Sequence, residues 1–361
     1  MTDLLLLAYS GFLVLISGGL LLIEVVKRME KKNGDSDDTV PQAGRVLVIV
    51  PCRGHDISLT ENLMSIRKQE FANYDAVAVV DSEDDVAIHS IREAGMDYIV
   101  SSADCTRCSG KVRAISTALE KFSGYDTYVI ADSDATFSSR WLRKLVAPLA
   151  DPKVGLSTAF PVFIPCGGFW SRVKMVWGFV GNSMMESSIT RFGWGGSLAF
   201  RSKLLDNGKL GVFSESVSDD AALTHIAADA GLSIAYCDGN IVTVKSRETL
   251  SSFVEWSNRQ TALAIRGNRN LFAMGLVYYT ARLLLLVSSI VLSVTATPLA
   301  LLLLAPFAVG IVKIYGRHGV RDPAVAPIFL AMDVFYIANL VKAKRMDTIS
   351  WRGRQYALNT E

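Results

Sequence analysis

Along most of the chain apolar residues come in one of two rhythms, and the contrast between them divides the protein. In the first rhythm they run on almost without relief. Leu4 to Val26 is such a run of 23 residues, which at about 1.5 Å per residue spans the roughly 30 Å hydrocarbon core of a bilayer. A second block, Met274 to Ile314, is long enough for two spans, and Pro298 splits it into Leu276–Thr297 and Leu299–Ile314, a tight membrane hairpin. A third, residues 322–342, carries Asp333 at its middle. A charge at the bilayer centre costs about 3 kcal/mol or more, so this segment is expected to be interfacial or re-entrant in preference to a further crossing. Arg282, one turn into the hairpin, is expected to snorkel to lipid phosphate.

In the second rhythm, short apolar runs end abruptly. Arg45–Val50, closed by Pro51, Tyr74–Val80 and Tyr125–Ala131 are rich in Val, Ile and Ala without alternation, which marks strands buried on both faces. Helical stretches separate them, near Leu59–Gln69, Asp85–Ala94 and Lys111–Lys121. Strands and helices in this order predict an α/β domain with a parallel sheet, whose ligands bind beyond the carboxyl ends of the strands. The expected organisation is an N-terminal transmembrane anchor (1–29), a polar linker (30–44), a catalytic domain (45–247), interfacial helices that mix Phe253, Trp256 and Phe272 with Arg259, Arg266 and Arg269 (248–274), the hairpin (275–314), the third apolar segment (322–342) and a basic tail (343–361).

Charge then orients the chain. Lys27, Arg28, Lys31 and Lys32 follow the first run while only Asp3 precedes it, so the positive-inside rule puts the middle of the chain in the cytoplasm and makes the run an anchor, not a cleaved signal. A net charge of only +2 argues against nucleic acid as the partner. Five cysteines on the cytoplasmic side are expected to stay reduced, and the lone pair Cys105 and Cys108 reads as ordinary loop thiols.

The residues that follow each strand carry the chemistry. Pro51-Cys52-Arg53-Gly54-His55-Asp56 follows the first, Asp81-Ser82-Glu83-Asp84-Asp85 the second and Asp132-Ser133-Asp134 the third. Asp132 and Asp134, about 7 Å apart along a strand end, suit a hard divalent cation, Mg2+ or Mn2+, shared with phosphate oxygens; helix caps and solvated turns use the same residues. Asp81 can bind a uracil or ribose, or simply shape a turn. Lys111 opens a helix where phosphate is attracted, although an exposed Lys would look the same. Phe192-Gly193-Trp194-Gly195-Gly196-Ser197 offers a stacking platform for a sugar beside glycines that admit backbone to a ligand, or a tight turn packed by Trp. Asp219-Asp220 opens an apolar helix, Ala221–Ala230, as an N-cap or as a base for an acceptor hydroxyl.

Taken in order, these motifs resemble the family 2 glycosyltransferases of GT-A (Rossmann-like) fold, and within them the ceramide glucosyltransferase-like group, over roughly residues 45–265. The resemblance implies a cytosolic GT-A domain carried by transmembrane and interfacial helices, with a UDP-sugar donor, a divalent cation and a lipid acceptor in an integral multi-pass membrane protein. It assigns the donor to Pro51, Arg53, Asp81, Asp84, Lys111, Asp132 and Arg259, the metal to Asp132 and Asp134, the sugar and acceptor to Trp194, Gly195, Gly196, Asp219, Trp256 and Gln260, and the catalytic base to Asp220. The family's (Q/R)xxRW motif is imperfect here: in Trp256-Ser257-Asn258-Arg259-Gln260 only Arg259 matches. The terminal Trp351-Arg352-Gly353-Arg354-Gln355-Tyr356 is similar to a WRGxxY tail of lipid-glycosylating members, and also to any basic juxtamembrane tail. A polyprenyl-phosphate transferase, a polysaccharide synthase, a membrane-anchored nucleotide-binding regulator and a transporter are the alternatives.

Overall fold

The computed structural model describes residues 2–34, 44–239, 241–318 and 321–358, and the chain forms two compact units. The N-terminal helix α1 (Thr2–Gly34) runs through residues 30–34, which were expected in the linker; residues 35–43 of that expected linker lie outside the described residues.

The globular unit ends at residue 267 and takes up the chain again from residue 346. Its first half alternates strand and helix: β1 (Val46–Cys52), α2 (Leu59–Arg67), β2 (Tyr74–Val80), α3 (Ala87–Glu93), β3 (Asp97–Val100), α4 (Gly110–Lys121) and β4 (Thr127–Ala131). There follow β5 (Ala135–Phe137), α5 (Trp141–Val146), β6 (Val154–Thr158), β7 (Val162–Pro165), α6 (Phe169–Trp177), α7 (Phe179–Glu186), β8 (Ser197–Arg201), α8 (Lys209–Ser214), α9 (Asp219–Asp229), β9 (Ser233–Tyr236), β10 (Val242–Ser246) and α10 (Leu250–Gly267).

Seven strands form one sheet in the order β3-β2-β1-β4-β8-β6-β9, and β5-β10-β7 form a second. Leu47 and Ile49 of β1, Val77 and Val79 of β2 and Ile130 of β4 bury against Val112, Ile115 and Leu119 of α4, while Val46, Val48 and Val50 are equally buried. Both faces are covered, which is why these strands lack alternation. Each such side chain contributes about 1.5–3 kcal/mol on burial.

Pro51 lies inside β1 and does not end it. Its ring has no N–H to donate, and it sits beyond the point where β1 pairs with β4, since that pairing stops at Ile49↔Ile130 while the pairing with β2 runs on to Cys52↔Val80. The sheet is also not wholly parallel. β8 runs antiparallel to β4, with Ser197 opposite Ala131. This reversal brings the start of β8, and the glycines before it, to the edge where β4 ends.

The cysteine expectation is corrected: Cys105 and Cys108 form a disulfide, their Cα atoms 5.8 Å apart, inside the ordinary range for such a bridge. The loop that carries them is held by Glu215, which accepts hydrogen bonds from the backbone N–H groups of Thr106 and Arg107.

The other unit contains α1 with α11 (Asn270–Thr295), a 3-10 turn (Pro298–Leu304), α12 (Ala305–His318) and α13 (Val325–Lys344). Four segments, Leu7–Val26, Asn270–Thr295, Pro298–Gly316 and Val325–Lys344, are helical, long and apolar enough to cross a membrane. The helix α11 starts at Asn270, so the end of the expected interfacial region is its first turn, and Phe253 of that region is fully buried in the globular unit, stacked on Trp170. Arg282 does not snorkel. Its guanidinium lies 3.2 Å from the buried carboxylate of Asp333 on α13 and over the rings of Phe307 and Phe329. The Asp333 carboxylate, the charge at the middle of the third apolar segment, therefore has a cationic partner within the helical unit.

After residue 345 the globular unit gains a hairpin, β11 (Thr348–Trp351) and β12 (Arg354–Ala357).

Candidate active site

Strand ends gather the polar residues at one edge of the large sheet. At its centre is Lys111, the second residue of α4. The helix starts there because Ser109 caps it, its hydroxyl accepting from the Val112 N–H. The Lys111 ammonium is buried, 2.7 Å from Asp132 Oδ1 and 3.1 Å from Asp219 Oδ2. Burial pulls its pKa down, but the carboxylates of Asp132, Asp219 and Asp220 outweigh that and hold it above the usual lysine value. It is therefore a fixed cation.

Gly195 and Gly196 are glycines because no side chain would fit. A Cβ on Gly195 would collide with the Asp219 carboxylate and the Lys111 ammonium, and one on Gly196 with the Trp194 ring and Asp132 Oδ2. The Gly196 carbonyl accepts from the Asp132 N–H, and Trp194 is held by its own N–H to Thr158 Oγ1, its ring 5.8 Å from Phe160. Trp194, the glycines and Asp132 thus share one wall.

Asp134 shares the loop after β4 with Asp132. Burial, then the negative charges of Asp132 and Asp56, push its pKa up to about 7. Asp56 accepts from the Ser133 hydroxyl at 2.6 Å, and Asn62 of α2 donates to the Ser133 carbonyl, so the loops after β1 and β4 are tied together. Asp56, Asp132 and Asp134 are all hard oxygen donors, and the first two act electrostatically on the third. Among the described residues no group of three or more His, Cys, Asp or Glu side chains is drawn close enough to hold a metal unaided. Asp132 and Asp134 fit a cation that takes its remaining ligands from phosphate and water.

At the start of α9 the two aspartates have diverged. Asp219 is buried against Lys111, and burial, opposed by Lys111 and reinforced by Asp220 and Asp132, raises it to about 6. Asp220 turns its Oδ1 to the Ala221 N–H at 2.8 Å and to the Ser218 hydroxyl, a cap-like contact that leaves Oδ2.

Asp81, at the end of β2, is flanked by Arg53 Nε at 3.2 Å and by Arg354 Nη2 at 3.1 Å. Asp84 is exposed. Its neighbour Asp85 engages the first loop instead, accepting from Gly54 N and Ala87 N, both at 2.9 Å. Arg259 donates to the Ser350 carbonyl, a backbone contact with the tail. Trp256 is packed in an aromatic cluster with Phe163 and Trp177, beneath the Lys174 ammonium, and Gln260 lies one turn along the same face of α10.

Residues absent from the expected site also reach it. Arg352 Nη2 binds Asp56 Oδ1 at 2.6 Å, and the Tyr356 hydroxyl accepts from the Gly110 N–H at 3.2 Å. The signal was present in the tail as basic and aromatic residues at alternate positions, 352, 354 and 356, the period of a strand face.

The family model described as Glycosyl transferase family 21 matches residues 11–361. No curated protein matches the chain by sequence. Among solved structures, the fold is similar to that of the mannosyltransferase PcManGT from Pyrobaculum calidifontis, in complex with GDP-Man and Mn2+, with a TM-score of 0.51 and 19% identity, covering 94% of this chain and 99% of that one. Glucosyl-3-phosphoglycerate synthase from Mycobacterium tuberculosis, in complex with Mn2+, UDP and glucosyl-3-phosphoglycerate, gives a TM-score of 0.41 at 15% identity and covers 62% of this chain and 80% of that one.

Proposed function

Since the chain belongs to glycosyl transferase family 21 and is a glycosyltransferase of GT-A fold with membrane-spanning helices, we propose that it moves a hexose from a UDP-sugar, UDP-glucose foremost, to the hydroxyl of a membrane lipid of ceramide-like type, with inversion and on the cytoplasmic face. The observation that carries this reading is the meeting, at one sheet edge, of a nucleoside-type carboxylate (Asp81), a buried fixed cation (Lys111), a pair of aspartates suited to a metal (Asp132, Asp134) and a carboxylate pair at a helix start (Asp219, Asp220). The PcManGT structure holds GDP-Man and Mn2+, which supports a nucleotide-sugar donor and a divalent cation here.

Each residue then has a task. Asp81 receives the nucleoside, and its two arginine neighbours keep its charge balanced. Lys111 points a permanent positive charge at the developing charge of the departing diphosphate, without having to reorganise as the bond breaks. Bound at Asp132 and Asp134, a divalent cation would neutralise the same phosphates. Trp194 offers its face to the sugar, at a distance the missing side chains of Gly195 and Gly196 make possible. Asp219 holds Lys111 in place, and Asp220, through Oδ2, accepts the proton of the acceptor hydroxyl as that oxygen attacks the anomeric carbon from the side opposite the leaving group.

The test is a panel of radiolabelled nucleotide sugars, UDP- and GDP-linked, supplied with total host lipid to the purified protein, the labelled product being identified by mass. A labelled polar lipid that survives mild acid, as the O-glycoside of a lipid hydroxyl does and a polyprenyl phosphate-linked sugar does not, is expected with a UDP-hexose. In the same assay Asp220→Asn should lower turnover about 10^2–10^4-fold and leave donor binding near wild type; loss of donor binding instead would show that the base is misassigned.

A further inference from the structure

The C-terminal hairpin closes onto the donor side of the site at three separate points. Arg352 binds Asp56, whose neighbours are Asp132 and Asp134; Arg354 binds Asp81; and Tyr356 binds the first N–H of α4, next to Lys111. A Cβ placed on Gly110 would lie 3.1 Å from Arg354 Nη1, 3.5 Å from the Tyr356 hydroxyl and 3.9 Å from Asp81 Oδ1, which shows how closely hairpin, helix start and strand end converge.

The hairpin is anchored for this purpose. From α10, Arg259 donates to the Ser350 carbonyl and Arg266 to the carbonyls of Leu358 and Met346, and these two arginines are seven residues apart on one helix face. The tip is two residues, Arg352 at φ 50° and Gly353 at φ 75°. Two positive φ values in succession describe a turn that normally takes Asn-Gly or Asp-Gly. An arginine in its first position is held against its own backbone preference, and what it reaches there is a carboxylate cluster. In the expected motif around Arg259, Trp256 is enclosed in its aromatic cluster and Arg259 donates to the hairpin backbone, so the motif's one matching residue braces the hairpin.

We propose that the hairpin Thr348–Ala357 is a wall of the donor site, in which Arg352 moves from Asp56 to the diphosphate of the nucleotide while Arg354 and Tyr356 border the nucleoside. This rests on the nucleotide-sugar reading above. It makes Arg352 a diphosphate-binding residue supplied from the far end of the chain.

Calorimetric titration of the full-length protein in detergent with UDP and Mn2+ tests it, alongside trypsin cleavage after Arg352 and Arg354 with and without Mn2+–UDP. Arg352→Ala is expected to weaken Mn2+–UDP binding at least tenfold, Arg354→Ala and Tyr356→Phe about threefold each, with Arg352→Lys recovering part of the loss. In the wild type, Mn2+–UDP should slow cleavage at both arginines, a readout that needs no variant to fold. Unchanged or tighter binding by Arg352→Ala, or cleavage that nucleotide leaves unchanged or accelerates, overturns the proposal; tighter binding would mark the hairpin as a plug. A wild type that binds no nucleoside diphosphate, UDP or GDP, would instead overturn the donor reading itself and this proposal with it.

Discussion

Asp134 is where the protein gives up stability to keep a charge, and replacing it with Asn should make the metal-free protein more stable and unable to respond to metal. Its carboxyl is raised from 3.8 to about 7, roughly three units at ~1.36 kcal/mol each, or an upper bound of ~4 kcal/mol. The group is only half-buried, so water relieves part of this and the expected gain is about 2 kcal/mol. The sign follows from proton counting. Between the unfolded and the folded pKa the native state holds the proton that the unfolded state has released, so stability falls as pH rises through that interval and is flat above about 7. Asn does not titrate. Its advantage should therefore widen from pH 5 to pH 7 and then stay constant, a shift of roughly 4–8 °C in the unfolding midpoint of a domain of this size. Intrinsic tryptophan fluorescence during heating, in detergent with chelator, reads this directly because Trp141, Trp177, Trp194 and Trp256 all lie in the globular unit. Added Mn2+ should raise the wild-type midpoint and leave the variant where it is. An Asn variant no more stable than wild type at pH 8, or an advantage that shrinks as pH rises, would refute the reasoning.

Three further outcomes follow from the same contacts. Lys111→Met leaves Asp132 and Asp219 facing each other uncompensated, which should destabilise the globular unit by about 3–5 kcal/mol and abolish transfer; midpoints from thermal melts and product formation check both. Gly196→Ala drives a Cβ into both the Trp194 ring and Asp132 Oδ2 and should reduce kcat at least tenfold and lower the melting midpoint, read from steady-state kinetics beside a melt. Arg282→Leu strands the Asp333 carboxylate and should cost about 3–5 kcal/mol, most of which Arg282→Leu with Asp333→Leu should restore; thermal aggregation of the two variants in detergent distinguishes them.

Much of the fold was legible because local pattern and tertiary role coincide. Val46–Val50 and Tyr74–Val80 are apolar on both faces since helices cover both, and that continuity marks a parallel strand before any contact is known. Asp81, Asp132 and Asp134 stood out because each follows such a strand. What escaped depends on partners distant in sequence. Asp84 and Asp85 are indistinguishable as letters, and only the approach of Gly54, 31 residues earlier, selects Asp85. Arg282 looks like a snorkelling residue until Asp333, 51 positions on, is seen beside it. Arg352 lies 296 positions from Asp56, and no local period connects a tail to the first strand loop. The reversal of β8, too, is a matter of sheet topology, which a short apolar run does not encode.

The hairpin after residue 345 also makes the order in which the chain is completed matter. Its two strands belong to the same unit as the catalytic strands, and Arg352, Arg354 and Tyr356 contact Asp56, Asp81 and Gly110. Residues 346–357 come after all four of the long apolar segments found among the described residues, so that sheet edge is finished last. A chain cut short after α13 would keep every catalytic strand and lose all three contacts.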